Sequence, residues 1–400
     1  MGGKNCWQSC EKCSWRDLCG GECNAACFEA FWVRGEPPQD GSPFPLYPHF
    51  GFCRGEDGVG IPGYCKCCLV MCPRRFDFPE RVERVGGLDF SPRPGDTPLD
   101  MDPQGVLDTL PDILLRVKKR ALSYAGLELG EVGGWVTLPL YELVGRRGKP
   151  CGIYTRWGSI QGGLGLEAGT KVLLSGFCHD DVLEQFWSRL VQDPHGVLRE
   201  LSALGVTACV VPFFSILIDA PRAEHLYNYR RWTWFAERCV EVGMPVVPLL
   251  TWFLPRDAER LLEWVDFHRP PWLAVNYQVH GDLARGKRLA RTVWILSRLG
   301  YTPNLIITGW TYGSPALVAE LFGLLDGVVG RVVLVDNSSA SAWENYQALR
   351  FVENGERGGK LMRQKIGETP RTLDVLRANM AAVRAAVSRG LSWESPPRLI

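Results

Sequence analysis

The sequence lacks any apolar run long enough to cross a bilayer. A spanning helix needs about 18–20 consecutive apolar residues, and no stretch of this chain reaches that length. The first six residues, MGGKNC, contain no apolar core of the kind that a signal peptide requires. We therefore predict a cytoplasmic protein with no membrane partner.

Net charge is also nearly absent. The 45 basic and 44 acidic residues leave a formal charge of +1, so no overall field draws the chain toward nucleic acid or an anionic membrane. This balance argues against extensive wrapping of a duplex, although a local groove for nucleic acid is allowed.

Cysteine, by contrast, is abundant and unevenly placed. Of the 15 cysteines, 11 fall within residues 6–72. Because disulfides are rare in a reducing cytosol, such a density indicates metal binding. We predict a separate metal-binding module over residues 1–85. The four scattered cysteines lie in apolar segments and are predicted to be small buried hydrophobic residues, namely Cys151, Cys178, Cys209 and Cys239.

The predicted metal ligands form two groups separated by a stretch rich in glycine and proline. They are Cys6, Cys10, Cys13, Cys19, Cys23 and Cys27, followed by Cys53, Cys65, Cys67, Cys68 and Cys72. The proline after the last cysteine is typical of ferredoxin runs, and eight thiolates would hold two 4Fe–4S clusters. Zinc held by four cysteines is the alternative, since His49 is the sole histidine of this region. Free or disulfide-forming thiols are a third interpretation.

The spacing Cys6-x3-Cys10-x2-Cys13 is also similar to that of radical-SAM enzymes, in which three cysteines leave one iron open for the cofactor. In that family the motif follows the first barrel strand, and here no strand is predicted before it. Lys12 stands at a place that is usually aromatic. Because of these two departures, radical-SAM redox chemistry is kept only as an alternative.

The rest of the chain indicates an α/β fold. Residues 86–134 are predicted as a linker rich in glycine and proline, followed by a helix over 103–124 with apolar residues near helical spacing. Beyond residue 170, six β-branched runs alternate with amphipathic helices, and 135–143 and 152–156 supply one or two more strands. Alternating β and α segments predict a parallel sheet, and seven or eight of them favour a TIM-like (β/α) barrel over residues 135–400.

Four phrases in this region occur in a recognisable order. They read FCHDDVLEQFW at 177–187, VPFFSILIDAP at 211–221, YNYRR at 227–231 and GMPVVPLLTW at 243–252. Their order resembles a phage- and mobile-element-associated family, domain of unknown function 4417, over about residues 170–312. Phe213 stands where that family usually has aspartate. The resemblance implies a phage or mobile-element context and carries no established activity.

A further phrase, VDNSSASAW at 335–343, is similar to a late-strand segment of tRNA-guanine and phage DNA-guanine transglycosylases. Those enzymes are TIM barrels with a structural metal. The similarity implies a nucleobase transglycosylase-like transferase, in which one aspartate acts as nucleophile and a second as base.

Candidate site residues lie after the predicted strands, because barrel active sites form at the carboxyl ends of strands. The predicted catalytic residues are His179, Asp181, Asp219 and Asp336. The predicted substrate-binding residues are Asp180, Arg230, Arg231, Trp252 and Trp310. Carboxylates serve as nucleophile, as acid/base or as cation ligands, arginine clamps phosphate, and tryptophan stacks on a base. Helix capping, ion pairing and core packing explain the same residues without function.

These observations support three hypotheses. The first is an iron–sulfur-cluster-containing barrel enzyme that acts on nucleic acid or a nucleobase by glycosyl-exchange-like acid/base chemistry. The second is a non-catalytic component of a phage or mobile-element complex, which binds nucleic acid or protein partners. The third is the radical-SAM-type redox enzyme.

Overall fold

A computed structural model of the chain describes residues 78–119, 123–216, 222–252, 254–277, 282–310, 315–352, 359–366 and 372–392. Its central feature is a parallel sheet of eight short strands. They are β1 (Ile113–Arg116), β2 (Trp135–Pro139), β3 (Lys171–Ser175), β4 (Val206–Val210), β5 (Val246–Val247), β6 (Trp272–Asn276), β7 (Asn304–Thr308) and β8 (Val332–Asp336).

The eight strands form a nearly closed barrel. Their order is β5-β4-β3-β2-β1-β8-β7-β6. Just after β5, Leu249 forms a parallel bridge with Ala274 of β6. The Leu250 amide also donates to the Ala274 carbonyl at 2.7 Å, and the Ala274 amide donates to the Pro248 carbonyl at 2.8 Å. These contacts join β5 to β6, the two strands at the ends of that order. They confirm the predicted TIM-like α/β architecture.

Strand composition explains this arrangement. Every residue of β2, β6 and β8 is buried. Strands covered on both faces are expected to be continuous apolar runs, rather than alternating ones, and such strands belong to parallel sheets between layers of helices.

Helices connect and cover the strands. They are α1 (Phe78–Arg84), α2 (Leu140–Leu143), α3 (Gly152–Trp157), α4 (Ile160–Leu164), α5 (Asp180–Leu190), α6 (Pro194–Ala203), α7 (Arg222–Glu241), α8 (Pro255–His268), α9 (Asp282–Leu296), α10 (Pro315–Leu325), α11 (Ser338–Glu344) and α12 (Leu373–Leu391). Local sequence sets where they begin. In α6, Pro194 occupies the first turn, and the Asp193 carboxylate accepts from the Gly196 amide at 2.9 Å.

Two predicted elements are wrong. The helix predicted over 103–124 is replaced by a short 3-10 helix (Val106–Thr109) and by β1, which pairs with both β2 and β8. Three apolar residues followed by an arginine fit one helical turn as well as a buried strand, so periodicity alone does not separate the two. Residues 152–156, predicted as a strand, lie in α3.

The segment predicted as a linker packs against the barrel. The Phe90 ring lies 5.9 Å from the Tyr229 ring of α7. The Leu99 amide donates to Nδ1 of His268 at the end of α8, at 3.0 Å. Residues 86–104 therefore cover the outer helices, and the barrel begins at β1 within the region predicted as linker and helix.

After β8 the chain forms a hairpin of β9 (Gln347–Val352) and β10 (Lys360–Lys365), and α12 packs against β9, α10 and α11. The cysteine-rich metal module was predicted over residues 1–85. Residues 1–77 of it lie outside the described residues. Within the described residues, none of the helices is both long and apolar enough to cross a membrane.

Candidate functional site

The carboxyl ends of the strands meet at one rim of the barrel, which we call the mouth. In a parallel barrel all eight ends must share this rim, and loops that follow the strands carry the side chains that line it. Arg116 ends β1, Phe177 and His179 follow β3, and Asn337 follows β8. Tyr141 lies in α2, directly after β2.

Arg116 joins three of these strand ends. It is 7% exposed. One terminal nitrogen donates to the Tyr141 hydroxyl at 2.7 Å, and the other donates to the Asn337 amide oxygen at 3.1 Å. The guanidinium carbon also lies 5.8 Å from the centre of the Tyr141 ring and 5.9 Å from that of Phe177. A positive charge is thus held between two aromatic rings at the mouth.

His179 extends this group toward solvent. Its side chain is exposed, and its ring centre lies 5.1 Å from that of Tyr141. We call Arg116, Tyr141, Phe177, His179 and Asn337 the mouth cluster. Its chemistry combines a fixed cation, aromatic faces and an imidazole ring.

A glycine explains how the loop after β3 reaches this position. A Cβ on Gly176 would lie 2.1 Å from the Val211 carbonyl oxygen, so no larger residue fits between the ends of β3 and β4. The Phe213 amide donates to the Gly176 carbonyl at 3.0 Å across the same gap. The close approach of the two loops directs the chain that carries Phe177 and His179.

A second polar group connects the phrases that carried the family resemblance. Asp180 accepts a hydrogen bond from the Ser215 hydroxyl at 2.8 Å, and the Asn228 side chain donates to the Ser215 carbonyl at 2.8 Å. Arg231 donates to the Asn228 amide oxygen and, at 2.7 Å, to Glu184. We call these five residues the motif network. It joins α5, the loop after β4 and α7.

Burial dominates the electrostatics of the motif network. Arg231 is 1% exposed, and its guanidinium carbon lies 3.7 Å from the centre of the Phe214 ring. Burial raises the pKa of Glu184, while the charge of Arg231 opposes the rise. A pair this deep holds α5 against α7. It offers little surface to a substrate, so Arg231 does not occupy the substrate-binding position predicted for it.

Asp336 lies at the end of β8 and caps a helix. Its Oδ1 accepts from the amides of Ser338 and Ser339 at 2.8 and 3.0 Å, in the first turn of α11. The side chain is 1% exposed, and burial raises its pKa. Its neighbour Asn337, rather than Asp336 itself, contacts Arg116.

Arg230 is directed toward the segment before the barrel. Its Nε donates to the Val85 carbonyl at 2.6 Å, and its terminal nitrogens bond to Glu237, the nearer contact being 2.5 Å. It therefore anchors α1 and the following turn to α7. These contacts engage the guanidinium of Arg230, which was predicted to bind substrate, in holding α1 to α7.

The predicted aromatic residues differ in their surroundings. Trp310, after β7, is 7% exposed and packs edge-on against Tyr277 with ring centres 5.4 Å apart. Its indole N–H has no hydrogen-bond partner among the described residues. Trp252, after β5, is half-buried against the core. Asp219 lies outside the described residues, as does the side chain of Asp181.

Sequence reasoning missed most of the mouth cluster. Arg116, Tyr141, Phe177 and Asn337 were not predicted as site residues, and Arg116 was missed because β1 was predicted as part of a helix. The available signal was a single arginine that ends the apolar run ILLR. At the end of a barrel strand that arginine faces the mouth, whereas in a surface helix it would be a common solvent-exposed residue.

The described residues contain no group of three or more histidine, cysteine, aspartate or glutamate side chains placed to hold a metal ion. The predicted ligands, from Cys6 to Cys72, lie outside them. Of the scattered cysteines, Cys178, Cys209 and Cys239 are buried as predicted, and Cys151 is half-buried.

Neither a family model, nor a curated protein, nor a solved structure matches this chain. The fold therefore rests on the sheet topology, and the function must be argued from the mouth itself. The resemblances to family 4417 and to the guanine transglycosylases are therefore proposals.

Proposed function

We propose that this chain is an enzyme acting on nucleic acid or a nucleobase, and that the mouth cluster binds the phosphate and base of its substrate. The observation that carries the proposal is the position of Arg116, at the end of a barrel strand and between Tyr141 and Phe177. Because its charge is largely removed from water, its attraction for an anion is stronger than that of a surface arginine.

The roles of the individual groups follow from their chemistry. A guanidinium matches two phosphate oxygens at once, and aromatic faces stack on a planar base. His179 is the proton donor or acceptor, because it is exposed at the rim beside Tyr141. For glycosyl exchange we assign the nucleophile and base to Asp181 and Asp219. We assign Asp336 to helix capping, in line with its two amide contacts.

Two further parts of the proposal rest on the sequence. We propose that the cysteines of residues 6–72 hold 4Fe–4S clusters that serve structure or electron supply, with zinc as the alternative. We also propose kinship with family 4417, and thus a phage or mobile-element context. Iron and zinc analysis of anaerobically purified protein tests the metal. Broad visible absorbance that bleaches on reduction supports iron, whereas colourless protein with stoichiometric zinc contradicts it.

The binding site is tested with a fluorescently labelled single-stranded oligonucleotide. Arg116→Gln is expected to weaken binding by roughly 1.5–3 kcal/mol, or about ten- to hundredfold in Kd, because a charged hydrogen bond is lost. Arg363→Gln is the matched control, since Arg363 is exposed on β10 and is not part of the mouth cluster. Equal Kd values for the two variants would refute a nucleic-acid site at Arg116.

A non-catalytic binding component is the second candidate. Two acidic residues that were predicted to act at the site make structural hydrogen bonds instead, Asp180 with Ser215 and Asp336 with the first turn of α11. This favours a component that binds without catalysis. Incorporation of labelled free base into an oligonucleotide distinguishes the two functions. Tight binding without incorporation favours the binding component, whereas incorporation that disappears in His179→Ala favours the enzyme.

A further inference from the structure

The loops after β1 and β2 bring an amine and a thiol together at the mouth. Nζ of Lys119 lies 3.1 Å from Sγ of Cys151. Both ends of this pair are held by neighbouring contacts. The Lys119 amide donates to the Glu142 carboxylate at 3.0 Å, and the Cys151 amide donates to the Leu143 carbonyl at 2.8 Å.

Cys151 differs from the other cysteines that the structure describes. Cys178, Cys209 and Cys239 are at most 8% exposed, whereas Cys151 is half-buried. A small reagent therefore reaches the Cys151 sulfur more readily than the sulfurs of the other three. Susceptibility of a thiol to oxidation follows its exposure and its charged neighbours.

A buried hydroxyl lies close to the same thiol. Tyr154 is fully buried in α3, and its hydroxyl has no hydrogen-bond partner among the described residues. Burial raises the pKa of Tyr154, and the charges of Glu142 and Cys151 raise it further, so both groups lie near its hydroxyl. A buried donor without a partner is costly. An oxygen added to the Cys151 sulfur would bring a polar atom into the surroundings of that hydroxyl.

We propose that Lys119 and Cys151 form a covalent sulfur–nitrogen crosslink when the protein is exposed to hydrogen peroxide or an organic hydroperoxide. In the first step the Cys151 sulfur attacks peroxide and the O–O bond breaks. This gives a sulfenic acid together with water from hydrogen peroxide, or with an alcohol from an organic hydroperoxide; sulfur is oxidised by two electrons and the peroxide is reduced by two. In the second step the Lys119 side chain loses its ammonium proton to solvent, and the resulting amine attacks that sulfur. The S–N bond forms, the S–O bond breaks, and the hydroxyl leaves as water with a proton from the amine.

The crosslink ties the loop after β1 to the loop after β2. Lys119 lies three residues beyond Arg116 in the chain, so the link removes an amine and a thiol from the rim beside the mouth cluster. A thiol reductant returns both groups. This inference does not depend on the proposed function, because it follows from the amine–sulfur distance whatever the mouth binds.

Peptide mapping of the full-length protein after graded peroxide treatment tests the crosslink. A protease that cuts after acidic residues separates the two partners, because Glu128 and Glu142 lie between them. We expect one linked pair of peptides that contain Lys119 and Cys151, with a mass below their sum by two hydrogen atoms. Dithiothreitol should separate the pair.

Two lysine variants provide matched controls. Lys119→Arg keeps the charge but lacks a nucleophilic amine, so the linked pair should be absent and dimedone should trap the Cys151 sulfenic acid instead. Lys118→Arg should leave the link intact, since Lys118 pairs with Glu344 at 2.9 Å. Unchanged thermal melts establish that both variants fold.

Three outcomes would overturn the crosslink. They are oxidation of Cys151 in the wild-type chain without any Lys119 link, a link that survives in Lys119→Arg, and oxidation of buried Cys209 before Cys151.

Discussion

The mouth cluster and the motif network lie side by side at the same rim, and they differ in what surrounds their charges. Arg231 in the motif network is 1% exposed and hydrogen-bonds to Glu184 at 2.7 Å. Arg116 in the mouth cluster contacts the neutral oxygens of Tyr141 and Asn337, and exposed His179 continues the cluster toward solvent. The phrases at 177–187 and 227–231 thus supply the buried pair of the scaffold, whereas Arg116 and Tyr141 of the mouth cluster lie outside every quoted phrase.

The difference has a physical basis. A buried ion pair tolerates few substitutions, since removal of one partner leaves an uncompensated charge away from water. Such a pair requires particular residues at fixed spacings, as in the phrases that contain Glu184 and Arg231. A binding residue at a strand end is fixed by the fold instead, so a single arginine suffices and leaves little pattern in the sequence.

The largest expected effect is the loss of the buried pair. Arg231→Met should lower the free energy of unfolding by about 3–5 kcal/mol, because Glu184 is left buried without its cation. Arg238→Met is the control on the same helix. Arg238 pairs with Glu241 at 2.8 Å and is partly exposed, so its loss should cost about 1 kcal/mol or less. Denaturant unfolding measures both.

A double change sharpens this result. Glu184→Leu combined with Arg231→Met should recover much of the stability that Arg231→Met loses, since no buried charge then remains. If the single variant is as stable as the control, the motif network is not the scaffold described here.

A smaller effect is expected at Asp336. Asp336→Ala should cost about 0.5–2 kcal/mol of unfolding free energy, because the amides of Ser338 and Ser339 lose their acceptor. Asp336→Asn keeps an acceptor oxygen and should cost less. Oligonucleotide binding should be unchanged in both folded variants. If Asp336→Asn abolishes activity at wild-type stability, Asp336 is catalytic and the assignment to capping is wrong.

A last expected effect, measured as a pH dependence, belongs to a region outside both groups and serves as a reference. Burial lowers the pKa of His268 from 6.5 to about 4, and its Nδ1 accepts from the Leu99 amide. The unfolded chain therefore takes up this proton at higher pH than the folded chain does. The contribution of His268 is complete above pH 6.5 and is lost as the pH falls toward 4.

His268→Asn supplies the comparison for this pH dependence. It keeps an acceptor for the Leu99 amide and removes the titration. Melting temperatures from pH 7.5 to 4.5 should therefore fall less steeply for His268→Asn than for the wild-type chain. Parallel curves would show that His268 does not contribute.

The barrel was predictable from the sequence because β-branched runs and amphipathic helices alternate after residue 170. All six runs predicted there correspond to strands β3 to β8. The start of the barrel was not predictable in the same way. Ile113–Arg116 is only four residues long, and its pairing with β8 depends on contacts more than 200 positions away in the chain.

The candidate site was predictable only in part. The sequence placed the candidate residues at the carboxyl ends of strands and included His179, but it could not show that Arg231 is buried or that Asp336 caps α11. Burial and direction depend on which helix covers a side chain, and this is a tertiary property. Arg116 became visible as a site residue only after β1 was recognised as a strand.

The most direct test of the account compares a nucleoside monophosphate with the same nucleoside by isothermal titration calorimetry. If Arg116 binds phosphate, Arg116→Gln should weaken nucleotide binding by about ten- to hundredfold and leave nucleoside binding unchanged. A variant that binds the nucleotide as tightly as the wild-type chain would contradict the assignment of the mouth cluster. Equal losses for both ligands would contradict it as well, because the effect would then not involve phosphate.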